Sequence, residues 1–275
     1  LQYGWAVSVA LVTGASTGIG EATARRLARE PGTELVLVAR REELLRALAE
    51  SLPCPATHVA VDLTSAGAPE RIRAHLQQHH GGRLDLLVNN AGAAWRGSFE
   101  ETGHANVARH MELNFDAVVR LTEALLPLLR KTAPSAIVNV ASTAGRVSRP
   151  RTGAYSASKF ALIGWTDSLY AEERAHGVHV GMVLPGFVAT EGFPATELRA
   201  KATTRWMVSK PEKVAEAIHE AGPGGRAERY VPRPYAIFAV LRILAPGLVR
   251  RVVSGGVGST LTTSTAAESG PQPSK

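Results

Sequence analysis

The chain has 275 residues, of which 45% are hydrophobic and 20% charged, with 26 glycines and 16 prolines. This composition supplies ample material for a core, and it excludes a disordered chain, a collagen-like repeat and a disulfide scaffold. The net charge of +7 is spread along the chain and interleaved with acids, as in Arg40, Arg41, Glu42 and Glu43, so it reads as a basic solvated surface and not as a nucleic-acid site.

Leu1 to Val12 is apolar but has no basic leader and no convincing cleavage site, so a secretory signal is not expected. The single cysteine, Cys54, cannot form an intramolecular disulfide, which favours a reducing compartment, and the expected location is the cytoplasm. No apolar stretch is long and unbroken enough to span a bilayer.

Strand-length apolar runs recur at Ala6 to Val12, Glu34 to Ala39, Thr57 to Val61, Leu84 to Val88, Ala136 to Val140, Val178 to Leu184 and Arg229 to Val231. Helical spacing of apolar residues falls between them, at Ala22 to Arg29, Glu42 to Ser51, Pro69 to His79, Asn106 to Leu129, Ala154 to His176 and Pro211 to Ala221. Strand and helix alternate, and the strands are nearly continuous in Val, Ile and Leu. The pattern predicts an α/β fold, a doubly wound seven-stranded parallel sheet covered by helices on both faces. One domain is expected over residues 1–253, followed by a tail over 254–275 without fixed structure. Ser209, Pro211 and Glu212 read as a capped start of the last of these helices.

The first strand runs into Thr13-Gly14-Ala15-Ser16-Thr17-Gly18-Ile19-Gly20 and then into a helix expected to begin near Glu21. Glycines there let the backbone turn sharply and approach a pyrophosphate, whose charge the free N–H groups and helix dipole stabilise. Further along stand Asn89-Asn90-Ala91-Gly92 after the fourth strand, Ser142 after the fifth, Tyr155-Ser156-Ala157-Ser158-Lys159 at a helix start, and Pro185-Gly186-Phe187-Val188-Ala189-Thr190 after the sixth. Tyr155 and Lys159 are four residues apart, so they share a helix face. An ammonium near a phenol favours phenolate and lowers its pKa from about 10, which suits the phenol to deliver a proton to a carbonyl oxygen. Ser142 can stabilise a developing alkoxide by hydrogen bonding.

From about Ala6 to Thr190, in order and spacing, these motifs resemble the short-chain dehydrogenase/reductase family. The resemblance implies a Rossmann-like domain and an oxidoreductase that interconverts a carbonyl and an alcohol by hydride transfer. It assigns catalysis to Asn114, Ser142, Tyr155 and Lys159, with Asn114 holding a water that relays protons toward Lys159. It assigns nucleotide binding to Gly14, Ser16, Thr17, Gly18, Ile19, Gly20, Arg40, Asp62, Asn90, Ala91, Gly92, Tyr155, Lys159, Pro185, Gly186, Val188 and Thr190. Asp62 matches the adenine-binding position, Asn90 is also a structural brace, and Val188 and Thr190 match positions that engage the nicotinamide carboxamide and a phosphate. A carboxylate at the end of the second strand would select NAD, but Ala39 stands there, and Arg40, with Arg41 beside it, can hold a 2'-phosphate. The expected cofactor is therefore NADP over NAD.

The segment 191–210 corresponds to the variable substrate loop, and Phe193, Trp206 and Met207, with Trp95 and Phe99, either line a pocket for an apolar carbonyl or alcohol substrate or pack on the body of the protein, as such residues do in any helix. A homodimer or homotetramer is expected. The apolar segment Tyr235 to Val253, broken by Arg242, Pro246, Arg250 and Arg251, is expected first to pack within the protein or an oligomer. Peripheral contact with a membrane surface is the second expectation. His75, His79 and His80 read as a solvated helix face, and no metal is expected. The alternative to an enzyme is a nucleotide-binding sensor or scaffold that keeps the fold without turnover.

Overall fold

A computed structural model of the protein describes residues 7–190 and 205–254. In chain order it contains β1 (Val9–Thr13), α1 (Gly18–Leu27), β2 (Glu34–Ala39), α2 (Glu42–Ser51), β3 (Ala56–Ala60), α3 (Ala68–His80), β4 (Leu86–Asn89) and α4 (Phe99–Met111). A π turn (Glu112–Asp116) joins α4 to α5 (Ala117–Lys131), which is followed by β5 (Ser135–Val140), α6 (Gly153–Glu173), β6 (Val178–Pro185) and the short strands β7 (Phe187–Val188) and β8 (Val208–Ser209). Then come α7 (Pro211–Ala221), β9 (Glu228–Val231), α8 (Tyr235–Leu244) and α9 (Pro246–Ser254).

The sheet has seven strands in the order β3-β2-β1-β4-β5-β6-β9, all parallel, as the strand pattern predicts. Alternate residues of each strand face opposite layers. Ala10, Val12, Leu35 and Leu37 pack with Leu27 of α1, Leu45 of α2 and Ile218 of α7. Val9, Leu11, Val36 and Val38 pack on the other face with Ile72 of α3, Leu121 of α5 and Leu169 of α6. Each fully buried leucine contributes about 2 kcal/mol relative to exposure. Helices on both faces bury β1 and β5 at every position, and these strands are apolar except at Thr13, Ser135 and Asn139, whose side chains hydrogen-bond to Val88 O, Leu129 O and Thr166 Oγ1. The chain steps outward from β1 to β3 and then returns to place β4 on the other side of β1. This reversal opens a crevice beyond the carboxyl ends of β1 and β4.

The opposite, amino-terminal edge is closed by polar bonds. Asp85 is buried and accepts from the backbone N–H of Ser8 (3.1 Å) and Val9 (2.8 Å), while Arg83 grips it through two nitrogens at 2.9 and 2.8 Å. On the same side, Arg130 of α5 holds the buried Glu173 of α6 through two bonds of 2.8 and 2.6 Å.

Several expectations are corrected. The helix read over Asn106 to Leu129 is two helices joined by the π turn, and α4 opens with a turn that Ser98 and Glu101 start with a reciprocal capping box and that Gly103, at φ +55°, kinks away from the rest of the helix. Ser209 does not cap α7: Lys210 holds that position, and Ser209 pairs with Val188 between the two short strands. The histidines of α3 are not all a solvated face. His75 and His80 both bond Thr57 Oγ1 at 2.9 Å, and His80 Nδ1 donates to Glu34 at 2.9 Å. Burial and the neighbouring His79, His80 and His58 lower the His75 pKa to about 4. The segment Tyr235 to Val253 forms α8 and α9, whose inner residues Tyr235, Ala239 and Val249 are buried. Most of the expected tail, residues 255–275, and most of the expected substrate loop, residues 191–204 with Phe193, lie outside the described residues.

Candidate active site

The turn after β1 is built by what its glycines allow. Gly14 has φ +65°, and a Cβ there would come within 2.9 Å of Ala91 Cα; a Cβ on Gly20 would lie 2.1 Å from the Gly14 carbonyl oxygen. The chain can therefore fold back on the start of α1 only with glycine at these two positions. Helix α1 begins at Gly18, earlier than the expected Glu21, with extended Thr17 before it and no side-chain cap on its first N–H groups. Asn90 braces the turn: its Nδ2 donates to the Thr13 carbonyl at 2.9 Å, and the backbone N–H groups of Asn90 and Ala91 donate to Thr13 Oγ1 at 2.9 and 3.0 Å. Ile19 packs into the core beneath it, and Thr190 approaches Gly18 from the far side. A close backbone turn feeding a helix N-terminus that no side chain caps fits the pyrophosphate of a dinucleotide.

Beyond the end of β2, Arg40 and Arg41 diverge. Arg40 is exposed, with Nη1 4.0 Å from Asp62 Oδ2. Arg41 points back to the turn, its Nη2 donating to Thr17 Oγ1 at 3.0 Å and Ser16 Oγ at 3.4 Å. Asp62 accepts from Thr64 N (3.0 Å) and Thr64 Oγ1 (2.8 Å). Those bonds, the backbone N–H first, hold its carboxyl below the usual range with help from Arg40. Arg41 is thus the cation in contact with the turn, although sequence reasoning puts Arg40 first.

Ser142, Tyr155, Lys159 and Asn114 come together past the end of β5. Ser142 Oγ accepts from Ala144 N at 3.1 Å and lies 3.4 Å from the Pro185 carbonyl oxygen. Lys159 is buried on α6, its Nζ donating to the Val140 carbonyl at 2.9 Å, and burial pushes its pKa down to about 8. Gly92 passes between Asn114 and Lys159: a Cβ there would be 2.9 Å from Asn114 Oδ1 and 3.5 Å from Lys159 Nζ. Asn114 sits in the π turn, fully buried. Its Oδ1 accepts from Ala93 N (2.9 Å), and its Nδ2 donates to Ala93 O (3.0 Å) and Ser158 Oγ (3.1 Å). Ser158 Oγ in turn donates to the Tyr155 carbonyl at 2.8 Å. The Asn114 side chain therefore fastens the segment after β4 to the first turns of α6.

The Tyr155 phenol departs from expectation. Its pKa lies above the ordinary value because burial outweighs hydrogen bonding with Ser142 and the positive charges of Arg149 and Arg96, which pull it down. The opposing charges belong to these two arginines and not to the expected Lys159. Both come from loops, Arg96 after β4 and Arg149 after β5, where no sequence spacing links them to Tyr155. Arg149 lies over the Phe187 ring at 4.5 Å. His110 is also unanticipated: it is buried, its ring 6.1 Å from that of Tyr155. Its Nδ1 donates to Asn106 O at 2.7 Å and its Nε2 accepts from Trp95 N at 3.0 Å, which fixes a neutral ring.

After β6 the chain turns at Pro185 and Gly186, and the Gly186 N–H donates to Val231 O at 2.8 Å. The Tyr235 ring packs so closely on Gly186 that a Cβ would meet it at 2.3 Å. Val188 is buried in the core cluster and held in register with Ser209. Of the aromatic residues expected to line a substrate pocket, Trp95 packs on His110 beneath Arg109, Trp206 approaches Tyr235 at 6.1 Å, and Phe99 faces solvent.

The family model described as short chain dehydrogenase matches residues 8–200. Bovine (Bos taurus) dehydrogenase/reductase SDR family member 7B is 32% identical over 263 residues, covering 90% of this chain and 80% of that protein. Ketoacyl reductase HetN of a Nostoc species is 33% identical over 213 residues, covering 77% and 74%. The solved structure of a short-chain dehydrogenase from Streptomyces avermitilis aligns with TM-score 0.75 at 27% identity, covering 94% of this chain and 99% of that one. With the parallel sheet and the glycine turn, these matches establish that the chain belongs to the short-chain dehydrogenase family, whose members are oxidoreductases using NAD or NADP.

Proposed function

We propose that the protein is an NADP-dependent oxidoreductase that interconverts a carbonyl and an alcohol, with Tyr155 as the acid in reduction and the base in oxidation. The observation that carries this reading is the meeting of Ser142, Tyr155 and Lys159 at the carboxyl end of β5, beside the turn formed by Gly14 and Gly20.

Gly14, Ser16, Thr17, Gly18, Ile19 and Gly20 would hold the pyrophosphate, Asp62 the adenine, and Asn90, Ala91 and Gly92 the floor of the cleft. Pro185, Gly186, Val188 and Thr190 would flank the nicotinamide end. Arg41 and Arg40 would take the 2'-phosphate, supported by the absence of a carboxylate at Ala39 and by the contact of Arg41 with Ser16 and Thr17. When bound, the nicotinamide supplies or accepts the hydride.

The chain's own residues handle the proton. Tyr155 gives its hydroxyl proton to the carbonyl oxygen, and Ser142 donates a hydrogen bond to the same oxygen as negative charge builds. A phenol above its ordinary pKa stays protonated at neutral pH, the form reduction requires. Lys159, near pKa 8, can return a proton to Tyr155, while Asn114 positions α6 against the segment after β4. The Nostoc relative is named a ketoacyl reductase, which suits a carbonyl substrate with an apolar chain. A homo-oligomer belongs to the same reading, supported by Phe160 and Tyr170 exposed on α6.

The test is Tyr155→Phe, followed by NADPH absorbance across a panel of ketones and aldehydes and by NADPH fluorescence titration. Turnover should fall by about a thousandfold with nucleotide affinity within a factor of about two. An active variant overturns the assigned acid. A wild-type protein that binds NADPH and turns over no member of a broad panel favours the sensor reading.

A further inference from the structure

Helix α8 has a buried stripe, Tyr235 and Ala239, and an outer face that solvent-facing helices do not normally carry. Across α8 and α9, Ile237, Val240, Ile243, Leu244, Leu248 and Val252 are each more than half exposed, with Ile243 and Leu244 at 78% and 75%. Eight of the 13 exposed large apolar side chains among the described residues lie in these two helices. An ordinary soluble surface scatters such residues singly; a continuous patch marks a contact surface.

Charge identifies the partner. From Arg233 to Ser254 the chain has four arginines, Arg233, Arg242, Arg250 and Arg251, and no Asp or Glu. Among the described residues no carboxylate pairs with any of the four. A second copy of the same face, brought up by a two-fold axis, would set arginines against arginines. A bilayer with anionic headgroups supplies an apolar interior for the leucine and isoleucine face and phosphates for the guanidinium groups. The ten residues of α8 span about 15 Å, half of a hydrocarbon core of about 30 Å, and no described helix is long and apolar enough to cross a membrane. The helices would therefore lie along the surface.

We propose that α8 and α9 form a docking face for an anionic phospholipid surface, with the apolar side chains inserted at the headgroup boundary and the arginines at its rim. Tyr235, on the inner side of α8, packs on Gly186, so the docked face lies one helix thickness from the candidate active site. The proposal stands independently of the reaction assigned above.

The full chain would be floated with vesicles of phosphatidylcholine, with or without phosphatidylglycerol. Partition into the anionic vesicles should exceed that into the zwitterionic ones by about tenfold or more at low salt, and fall as salt is raised. Ile243→Asp with Leu244→Asp should lower binding to both vesicle types, and Arg250→Glu with Arg251→Glu should remove the preference for anionic lipid, with thermal unfolding of each variant checked against the parent. Absence of partition, or equal partition into both vesicle types, overturns the proposal. So does a lipid-inert dimer that the paired aspartates convert to a monomer by light scattering; that result assigns the face to a second copy. Should the aspartate variant fail to fold, the exposed arginine pair carries the test by itself.

Discussion

The two edges of the sheet both bury polar groups, and they use them differently. At the amino edge Asp85 takes two backbone N–H groups and a bidentate arginine, and Glu173 takes another; these carboxylates are consumed by protein partners. At the carboxyl edge the buried Lys159 ammonium donates to one protein acceptor, the Val140 carbonyl, and Tyr155 is held above its ordinary pKa by burial. A saturated buried group stabilises the fold. A buried group under electrostatic tension can exchange a proton. Polarity in the interior therefore says little about function until the partners of each group are named.

That contrast can be broken by substitution. Asp85→Ala, which leaves the buried Val9 N–H without its acceptor, should cost about 3 kcal/mol in urea unfolding while leaving NADPH affinity unchanged. Altered affinity with intact stability would contradict the division. Gly20→Ala is the converse at the carboxyl edge: its Cβ would strike the Gly14 carbonyl, so nucleotide binding measured by fluorescence should weaken by roughly tenfold to a hundredfold. Unchanged affinity would show that the turn does not carry the nucleotide.

Titration sharpens the same comparison. His75, bonded at the far side of the sheet, has a folded pKa of about 4 against an ordinary 6.5. The unfolded chain binds more protons between these values, so stability is complete above about pH 6.5 and declines as pH falls toward about 4. The full linkage is about 3.4 kcal/mol, which solvent screening of this partly exposed ring reduces to about 2 kcal/mol, and His75→Gln should flatten the profile measured by denaturant unfolding. Next in size, Arg41→Asp should shift the NADPH to NADH affinity ratio about tenfold toward NADH, more than Arg40→Asp does. Equal effects of the two changes would make the contact with Ser16 and Thr17 irrelevant to phosphate binding. The smallest effect is a pH trend: as pH rises through about 8, Lys159 loses its proton and the reductive kcat/KM should fall, whereas an unchanged rate to pH 9.5 (roughly) would remove Lys159 from the proton path.

The strands were legible because a parallel strand covered by helices on both faces is apolar at most of its positions, and β2 matches its expected bounds residue for residue. The glycine turn was legible because sterics permit few alternatives at Gly14 and Gly20. Other features have no local signature. The π turn differs from α-helix only in hydrogen-bond spacing, so α4 and α5 read as one pattern, and two-residue strands such as β7 and β8 are shorter than any periodicity can register. Arg40 and Arg41 are adjacent in sequence and equivalent in chemistry; only the direction in which α2 leaves β2 decides which one meets the turn. Arg96 and Arg149 reach Tyr155 from two separate loops and the His110 ring packs beside it from a third segment, so the surroundings of the phenol belong to tertiary structure.

The π turn carries one more implication. A π turn is an α-helix with one residue too many, and each residue of a regular helix advances about 100° around its axis. Deleting a single position between Glu112 and Asp116 would restore regular α-helix from the residues after Gly103 into α5 and swing Asn114 around its axis, away from Ala93 and Ser158. Helical content would survive such a deletion while the seam it closes would come undone, so chain length at this place is itself a determinant of alignment across the cleft.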